Sequence, residues 1–141
     1  QEALQIIGIV SVLFLLGFRG DLGTALAVGL GAALGFAMYE SVTALSPLLN
    51  SGMTGDSVIP ILRGLFQVGA HVGTGLMLGR AWVEGRYVRY FLIATALHGA
   101  LGYSSVLAIS GWSDGAVLVY FGAVGLLAFV WGAAIAGARL R

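Results

Sequence analysis

The sequence predicts an all-α fold, a polytopic membrane bundle of about five transmembrane helices that forms one domain over residues 1–141. Only 9% of the residues are charged and 59% are hydrophobic, whereas soluble domains carry about 25% charged residues. The 23 glycines against 2 prolines are typical of closely packed transmembrane helices. Because residue 1 is Gln rather than Met, we also expect residues to precede this chain.

Five stretches predict the helices, since about 20 apolar residues cross the hydrocarbon core of a bilayer. They are Glu2–Phe18, Leu22–Leu45, Pro60–Val83, Tyr87–Ile109 and Gly115–Ala138. The first is short, so we expect its helix to begin upstream of Gln1. The predicted connections are Arg19–Asp21, Ser46–Ile59, Glu84–Arg86 and Ser110–Asp114.

The basic residues predict the orientation of the bundle. Every basic residue is an arginine, and all but Arg63 fall on one side of a five-helix arrangement: Arg19, Arg80, Arg86, Arg89, Arg139 and Arg141. The connections on the other side contain no basic residue. By the positive-inside rule these arginines are cytoplasmic, so the N-terminus lies outside and the C-terminus inside. The net charge of +1 offers no signature of nucleic-acid binding.

Small residues recur at four-residue steps on the second predicted helix. They are Gly23, Ala27, Gly31 and Gly35. Such a row lets another helix approach closely. We therefore predict a packing seam on this face and assign it no chemistry.

The third predicted helix carries a polar stripe at the same spacing. Its members are Arg63, Gln67, His71, Gly75 and Gly79. Four-residue steps keep them on one helix face. Arginine and histidine are costly in lipid and usually functional there. This stripe predicts a polar interior, with the two glycines providing close packing beneath the histidine.

The estimated depths of four residues, Glu2, Glu40, His71 and His98, predict that they meet in the outer half of the bilayer. At 1.5 Å per helical residue, Glu40 lies about 10 Å inward, and His71 and His98 lie about 16 Å inward. Glu2 sits near the outer end of the first helix, and Arg63 lies near the outer mouth. Other interpretations stay open: Glu40 could snorkel, the histidines could bond neighbouring helices, and Arg63 could anchor the interface.

This set has the groups that hydrolysis requires. Carboxylates and histidines can polarise a water molecule and take its proton, and a neutral imidazole can donate to an oxyanion. Glu40, His71 and His98 could also hold Zn²⁺. Ser104 and Ser105 do not form a hydrolase triad with His98, because no acid is placed to orient that histidine.

Three stretches of the chain resemble motifs of the PrsW-type intramembrane proteases, whose superfamily includes CAAX prenyl endopeptidases and bacteriocin-processing enzymes. They are Phe36-x-x-x-Glu40 within Gly31–Val42, the histidine helix Gly69–Arg80 with Arg63 before it, and Ala96-Leu-His98-Gly-Ala-Leu101. The family's first motif, Glu-Glu-x-x-Lys, corresponds to Gln1-Glu2-Ala-Leu-Gln5, and its Asp or Asn four residues after the last histidine corresponds to Gly102.

The resemblance implies an endopeptidase that cleaves membrane-anchored proteins or peptides near the extracytoplasmic side of a prokaryotic cytoplasmic membrane. Glu2 and Glu40 would supply the carboxylate chemistry, His71 would assist the water, and His98 would steady the oxyanion. We assign substrate contacts to Phe36, Arg63, Gln67 and Gly102. The expected partners are the substrate, the lipid bilayer and other subunits of a membrane complex. No cofactor is implied with certainty, because the superfamily is better regarded as glutamate-dependent than zinc-dependent.

Three other functions remain open from the sequence. Gln1, Gln5 and Gly102 favour a catalytically inactive relative that acts as a scaffold or accessory subunit. His71 and His98, at similar depth on neighbouring helices, could ligate haem or another tetrapyrrole. A proton or ion pathway comes last, because the helices show no repeats or breaks of the transporter kind.

Overall fold

The computed structural model describes residues 21–51 and 58–138, with side chains described at 21–43 and 58–138. Within these ranges the chain is helical and has no strand. The helices are α1 (Leu22–Ser51), α2 (Val58–Glu84), α3 (Tyr87–Ile109) and α4 (Asp114–Gly137). The all-helical prediction is therefore confirmed over this part of the chain. The predicted helix Glu2–Phe18, with Glu2 itself and Gln1 and Gln5, lies outside the described residues.

The helix boundaries follow the predicted ones except between the first two helices. The predicted connection Ser46–Ile59 is wrong at both ends, because α1 continues to Ser51 and α2 already begins at Val58. Pro47 lies inside α1. Proline usually ends helices in water, but membrane helices tolerate it because neighbouring groups satisfy the freed carbonyl. Pro47 therefore does not end α1, although it lies in the segment that was predicted to be a connection.

Three of the four described helices are long and apolar enough to cross a membrane: Leu22–Thr43, Tyr87–Ile109 and Asp114–Gly137. Large apolar side chains such as Met38, Leu92 and Val119 stand more than half exposed on these helices. An integral membrane protein presents such faces to lipid. α2 is the exception, because it carries the polar stripe and a second arginine.

Among the four described helices, α2 is central and packs most closely against α1 and α4. Ala25 faces Gly79 and Ala33 faces Gly75, so α1 and α2 run antiparallel. Gly73 lies against Ala128 in α4, whereas Phe66 lies against Gly122, so α2 and α4 run parallel. Small residues on both sides of α2 allow this close approach. The most polar helix is therefore flanked by apolar ones.

The seam through which α1 packs against the other described helices is the face opposite to the predicted one. Gly23, Ala27, Gly31 and Gly35 are exposed, and a Cβ built on Gly31 or Gly35 would meet nothing within 4 Å. The buried row is Ala25, Gly29, Ala33 and Ala37. Both rows are small residues at four-residue steps, so the spacing alone could not choose between them. Contact with Gly75 and Gly79 of α2 decides which row is buried.

Candidate active site

Glu40 forms the centre of the polar site through two short contacts to α2. Its Oε2 accepts a hydrogen bond from Gln67 Nε2 at 2.5 Å and lies 2.7 Å from His71 Nε2. Gln67 and His71 are one helical turn apart, so both face α1 at the same point. An ionised carboxylate can only accept hydrogen bonds. His71 Nε2 therefore carries a proton whenever Glu40 is ionised.

His71 is enclosed by aromatic and imidazole rings. Its side chain is 1% exposed. The Phe36 ring, one turn before Glu40, packs edge-on with its centroid 5.3 Å away. The His98 ring of α3 lies 5.4 Å away on a tilted plane. These neighbours fix the ring that contacts Glu40.

A cavity of about 210 Å³ lies beside this cluster. Its lining comes from all four described helices: Glu40, Arg63, Gln67, His98, Leu101, Gly102, Ser104, Ser105 and Phe121. His71 is not in the lining. Glu40 thus presents its carboxylate to the cavity while His71 holds that carboxylate from behind. In this geometry His71 reaches the cavity through its contact with Glu40.

Arg63 points into the same cavity. Its guanidinium carbon lies 5.2 Å from the centroid of the Phe121 ring, within the range of a cation–π contact. Its Nη2 donates to Ser104 Oγ at 3.5 Å, which is long for a hydrogen bond. Arg63 is half-buried and lines this partly open cavity together with Glu40 and His98.

The structure brings seven of the eight predicted site residues into one place. They are Phe36, Glu40, Arg63, Gln67, His71, His98 and Gly102. The eighth, Glu2, lies outside the described residues. Within residues 21–51 and 58–138, no group of three His, Cys, Asp or Glu residues is arranged to hold a metal ion. Glu40, His71 and His98 by themselves therefore do not form the considered zinc site.

Sequence reasoning missed four residues of the cavity wall, namely Leu101, Ser104, Ser105 and Phe121. The sequence did contain a pattern that could have identified two of them. Leu101 and Ser105 follow His98 in α3 at steps of three and seven residues. That spacing places them on the face of His98. Ser104 is 1% exposed, so its hydroxyl points into the protein rather than to lipid. Phe121 carried no such signal.

A second polar cluster lies at the other end of α2. Arg80 Nε donates to Glu84 Oε1 at 2.6 Å, and Arg80 Nη1 donates to the carbonyls of Ala136 and Ala138 at the end of α4. Tyr90 donates to Glu84 Oε2 at 2.9 Å. The hydrogen bond from Arg80 lowers the pKa of Glu84. This cluster joins α2, α3 and the carboxyl end of α4.

The fold and the site together define a helical-bundle protein of membrane type with a carboxylate–histidine pair, its histidine buried, beside a cavity. Comparison of the chain with protein-family models, with curated proteins and with solved structures found no match. The geometry of the site is therefore the basis for a functional proposal.

Proposed function

We propose that this protein is an intramembrane endopeptidase that resembles the PrsW-type proteases and uses Glu40 to activate water. The observation that carries the proposal is the contact of Glu40 with His71 at 2.7 Å, at the wall of a cavity. A general base must reach the proton that it abstracts, directly or through one water. Glu40 meets this requirement for a water molecule in the cavity.

The reaction follows from the chemistry of these groups. The Glu40 carboxylate takes a proton from the water as its oxygen bonds to the carbonyl carbon of the substrate. The carbonyl becomes a tetrahedral oxyanion. Glu40 then returns the proton to the amide nitrogen as the carbon–nitrogen bond breaks, which releases an acid and an amine. Atoms and charge balance without another reactant.

Neighbouring side chains support each stage. His71 and Gln67 donate to the same oxygen of Glu40, which orients the carboxylate and leaves Oε1 for the water. His98 lines the cavity and has the imidazole donor that suits an oxyanion. Glu2, if it joins the site, would add a second carboxylate. No step requires a metal ion.

The location of the site suggests the kind of substrate. Arg86 lies in the turn between α2 and α3, and Arg89 lies in the first turn of α3. Arg80 is near the same end of α2, more than two helical turns from His71. The positive-inside rule assigns this end to the cytoplasm. The cavity then lies in the outer half of a prokaryotic cytoplasmic membrane, with α2 and Glu2–Phe18 as further spans. We therefore propose membrane-anchored proteins or peptides as substrates.

A catalytically inactive relative, serving as a scaffold or accessory subunit, is the second candidate. One observation favours it: Gly102 lines the cavity at the position where the resembled family has Asp or Asn. A carboxylate or amide that would bind water or substrate is therefore lacking there. The bis-histidine tetrapyrrole alternative is less favoured, because His71 Nε2 is engaged by Glu40 and the ring is 1% exposed.

Appearance of new N-termini in other membrane proteins tests the protease proposal. The chain is reconstituted into liposomes with solubilised bacterial membrane proteins, and new N-termini are labelled and identified by mass spectrometry. We expect Glu40→Gln to lower their yield by roughly 10²–10⁴-fold, as the loss of a general base does. The charge control is Glu84→Gln, which alters the other cluster.

Two further variants distinguish the candidates. A Cβ at Gly102 would meet nothing within 4 Å, so Gly102→Asn introduces the family's side chain without a clash at its first atom. Gln1→Glu restores the first-motif glutamate. Cleavage that appears only in these variants would support the inactive relative. Absence of Glu40-dependent cleavage in every variant would contradict the protease proposal.

A further inference from the structure

Arg63, Ser104 and Ser105 occupy a part of the cavity wall that water activation does not use. Arg63 lies on α2, and the two serines lie on α3 across the cavity. In the described part of the chain, no carboxylate lies within ion-pair distance of Arg63. Its described polar contact is the long one to Ser104 Oγ at 3.5 Å. A guanidinium has five N–H donors, so most of those on Arg63 have no partner among the described residues.

The other arginine inside α2 shows what a fully satisfied guanidinium looks like in this protein. Arg80 is 2% exposed and bonds Glu84 at 2.6 Å and the carbonyl of Ala138 at 2.5 Å. A buried charge such as Arg80 is stable only with such partners. Arg63 is half-buried and has no carboxylate or carbonyl partner among the described residues, yet its guanidinium lies over the face of Phe121. This difference points to a partner that arrives from outside.

We infer that Arg63 and Ser104, with Ser105 beside them, form a subsite for a carboxylate of the peptide substrate. The planar guanidinium matches a carboxylate through two parallel hydrogen bonds, and the hydroxyl of Ser104 can donate a third. The cavity of about 210 Å³ is smaller than the roughly 300–1,000 Å³ of pockets for drug-sized ligands. It therefore suits one residue of a peptide better than a phospholipid headgroup with its glycerol.

The spacing along α2 relates this subsite to the bond that is cut, a point that rests on the proposed function. Arg63 lies one turn, about 6 Å, from Gln67 and two turns, about 12 Å, from His71. An extended peptide advances about 3.3 Å per residue. The carboxylate is therefore two to four residues away from the peptide bond attacked by the water on Glu40. Either a C-terminal or a side-chain carboxylate can satisfy this spacing.

Binding of two matched pairs of peptides tests the subsite. All are fluorescein-labelled Ala/Leu peptides: one pair has a free or an amidated C-terminus, and the other is amidated and has an internal Glu or Gln. Fluorescence anisotropy in detergent micelles is expected to show about tenfold tighter binding of the carboxylate member of at least one pair. Which pair shows the preference identifies the source of the carboxylate.

Variants of the full chain assign the preference to the subsite. Arg63→Gln is expected to abolish it, and Ser104→Ala, which removes one small hydroxyl, is expected to reduce it about threefold. The control Arg86→Gln removes a positive charge that is 60% exposed and should leave the preference unchanged. Equal binding of carboxylate and amide peptides in the unmodified protein would overturn the inference. Competition by short-chain phosphatidylglycerol but not by glutarate would also overturn it, in favour of a lipid site.

Failure of this inference and failure of the proposed function can be told apart. Peptides that bind through their carboxylate but are never cleaved would support the subsite and contradict the protease. Peptides that are cleaved without carboxylate preference, or whose preference survives Arg63→Gln, would support the protease and contradict the subsite. Mass spectrometry of the same samples measures the cleavage.

Discussion

The two polar clusters of α2 contrast in how their charges are satisfied. At one end, Arg80 and Glu84 bond each other, Tyr90 and the last carbonyls of α4. At the other end, Glu40 and Arg63 both line a cavity. Both clusters lie within a bundle of apolar helices, where unsatisfied charge is costly. The closed cluster holds three helices together, whereas the open one has polar groups at the wall of a cavity.

This contrast teaches that a charged residue in a membrane helix is not functional by its presence alone. Arg80 is the more buried of the two arginines on α2, and it is structural. It satisfies the carboxyl end of α4, where helix carbonyls lack partners and attract cations. Arg63 is half-buried and has a cavity in front of it. The two arginines therefore differ in their bonding partners and in whether a cavity lies beside them, and the degree of burial alone does not indicate which one is functional.

The largest expected difference between the clusters is in stability. Arg80→Gln leaves Glu84 and the carbonyls of α4 without their cation and should lower the free energy of unfolding by roughly 3 kcal/mol. Glu40→Gln keeps the shape of the side chain and should cost about 1–2 kcal/mol. Unfolding in mixed detergent–SDS micelles measures both. Equal losses would contradict the division into a structural and a functional cluster.

A smaller change in the free energy of unfolding is expected when a packed glycine of α2 and an exposed glycine of α1 are each replaced by alanine. A Cβ on Gly75 would lie 2.5 Å from Gly29 O and the Ala33 Cβ, so Gly75→Ala must separate the helices and should cost about 1–3 kcal/mol. Gly31→Ala meets nothing within 4 Å and should stabilise by about 0.5–1 kcal/mol. The same unfolding assay compares them. Destabilisation by Gly31→Ala would show that another segment covers this face of α1.

The smallest expected effect is a pH dependence of the closed cluster. The pKa of Glu84 is held below its ordinary value of 4.5, chiefly by the hydrogen bond from Arg80. A lowered pKa in the folded state contributes stability above the unfolded pKa, and this contribution disappears as the pH falls through the folded pKa. The unfolding free energy should therefore decrease as the pH falls below the ordinary carboxyl pKa of 4.5 and through the lowered pKa of the folded state.

Glu84→Gln provides the control for this titration. Without the carboxylate, the loss of stability over the same pH range should be smaller than in the unmodified protein. A variant that follows the same pH curve would show that other groups dominate the acid response. Glu40→Gln measured in parallel separates the response of the open cluster from that of the closed one.

Much of the fold and part of the site could be predicted because they depend on local periodicity. Tyr87–Ile109 was predicted with the bounds that α3 has. The common face of Arg63, Gln67 and His71 follows from four-residue spacing in any helix. Ser104 and Phe121 were not predicted, because one is an ordinary small helix residue and the other an ordinary core residue. The five-span topology and its orientation remain predictions.

The sequence by itself determined the all-helical, membrane-type character of the protein and the register of polar groups within each helix. These follow from composition and from backbone geometry, which are local properties. Only the tertiary structure decided which row of small residues on α1 is buried, that Glu40 meets His71, and that Arg80 binds the end of α4. Each of these depends on how two helix surfaces fit together. Several pairings satisfy the same periodicity, so packing between helices selects one of them.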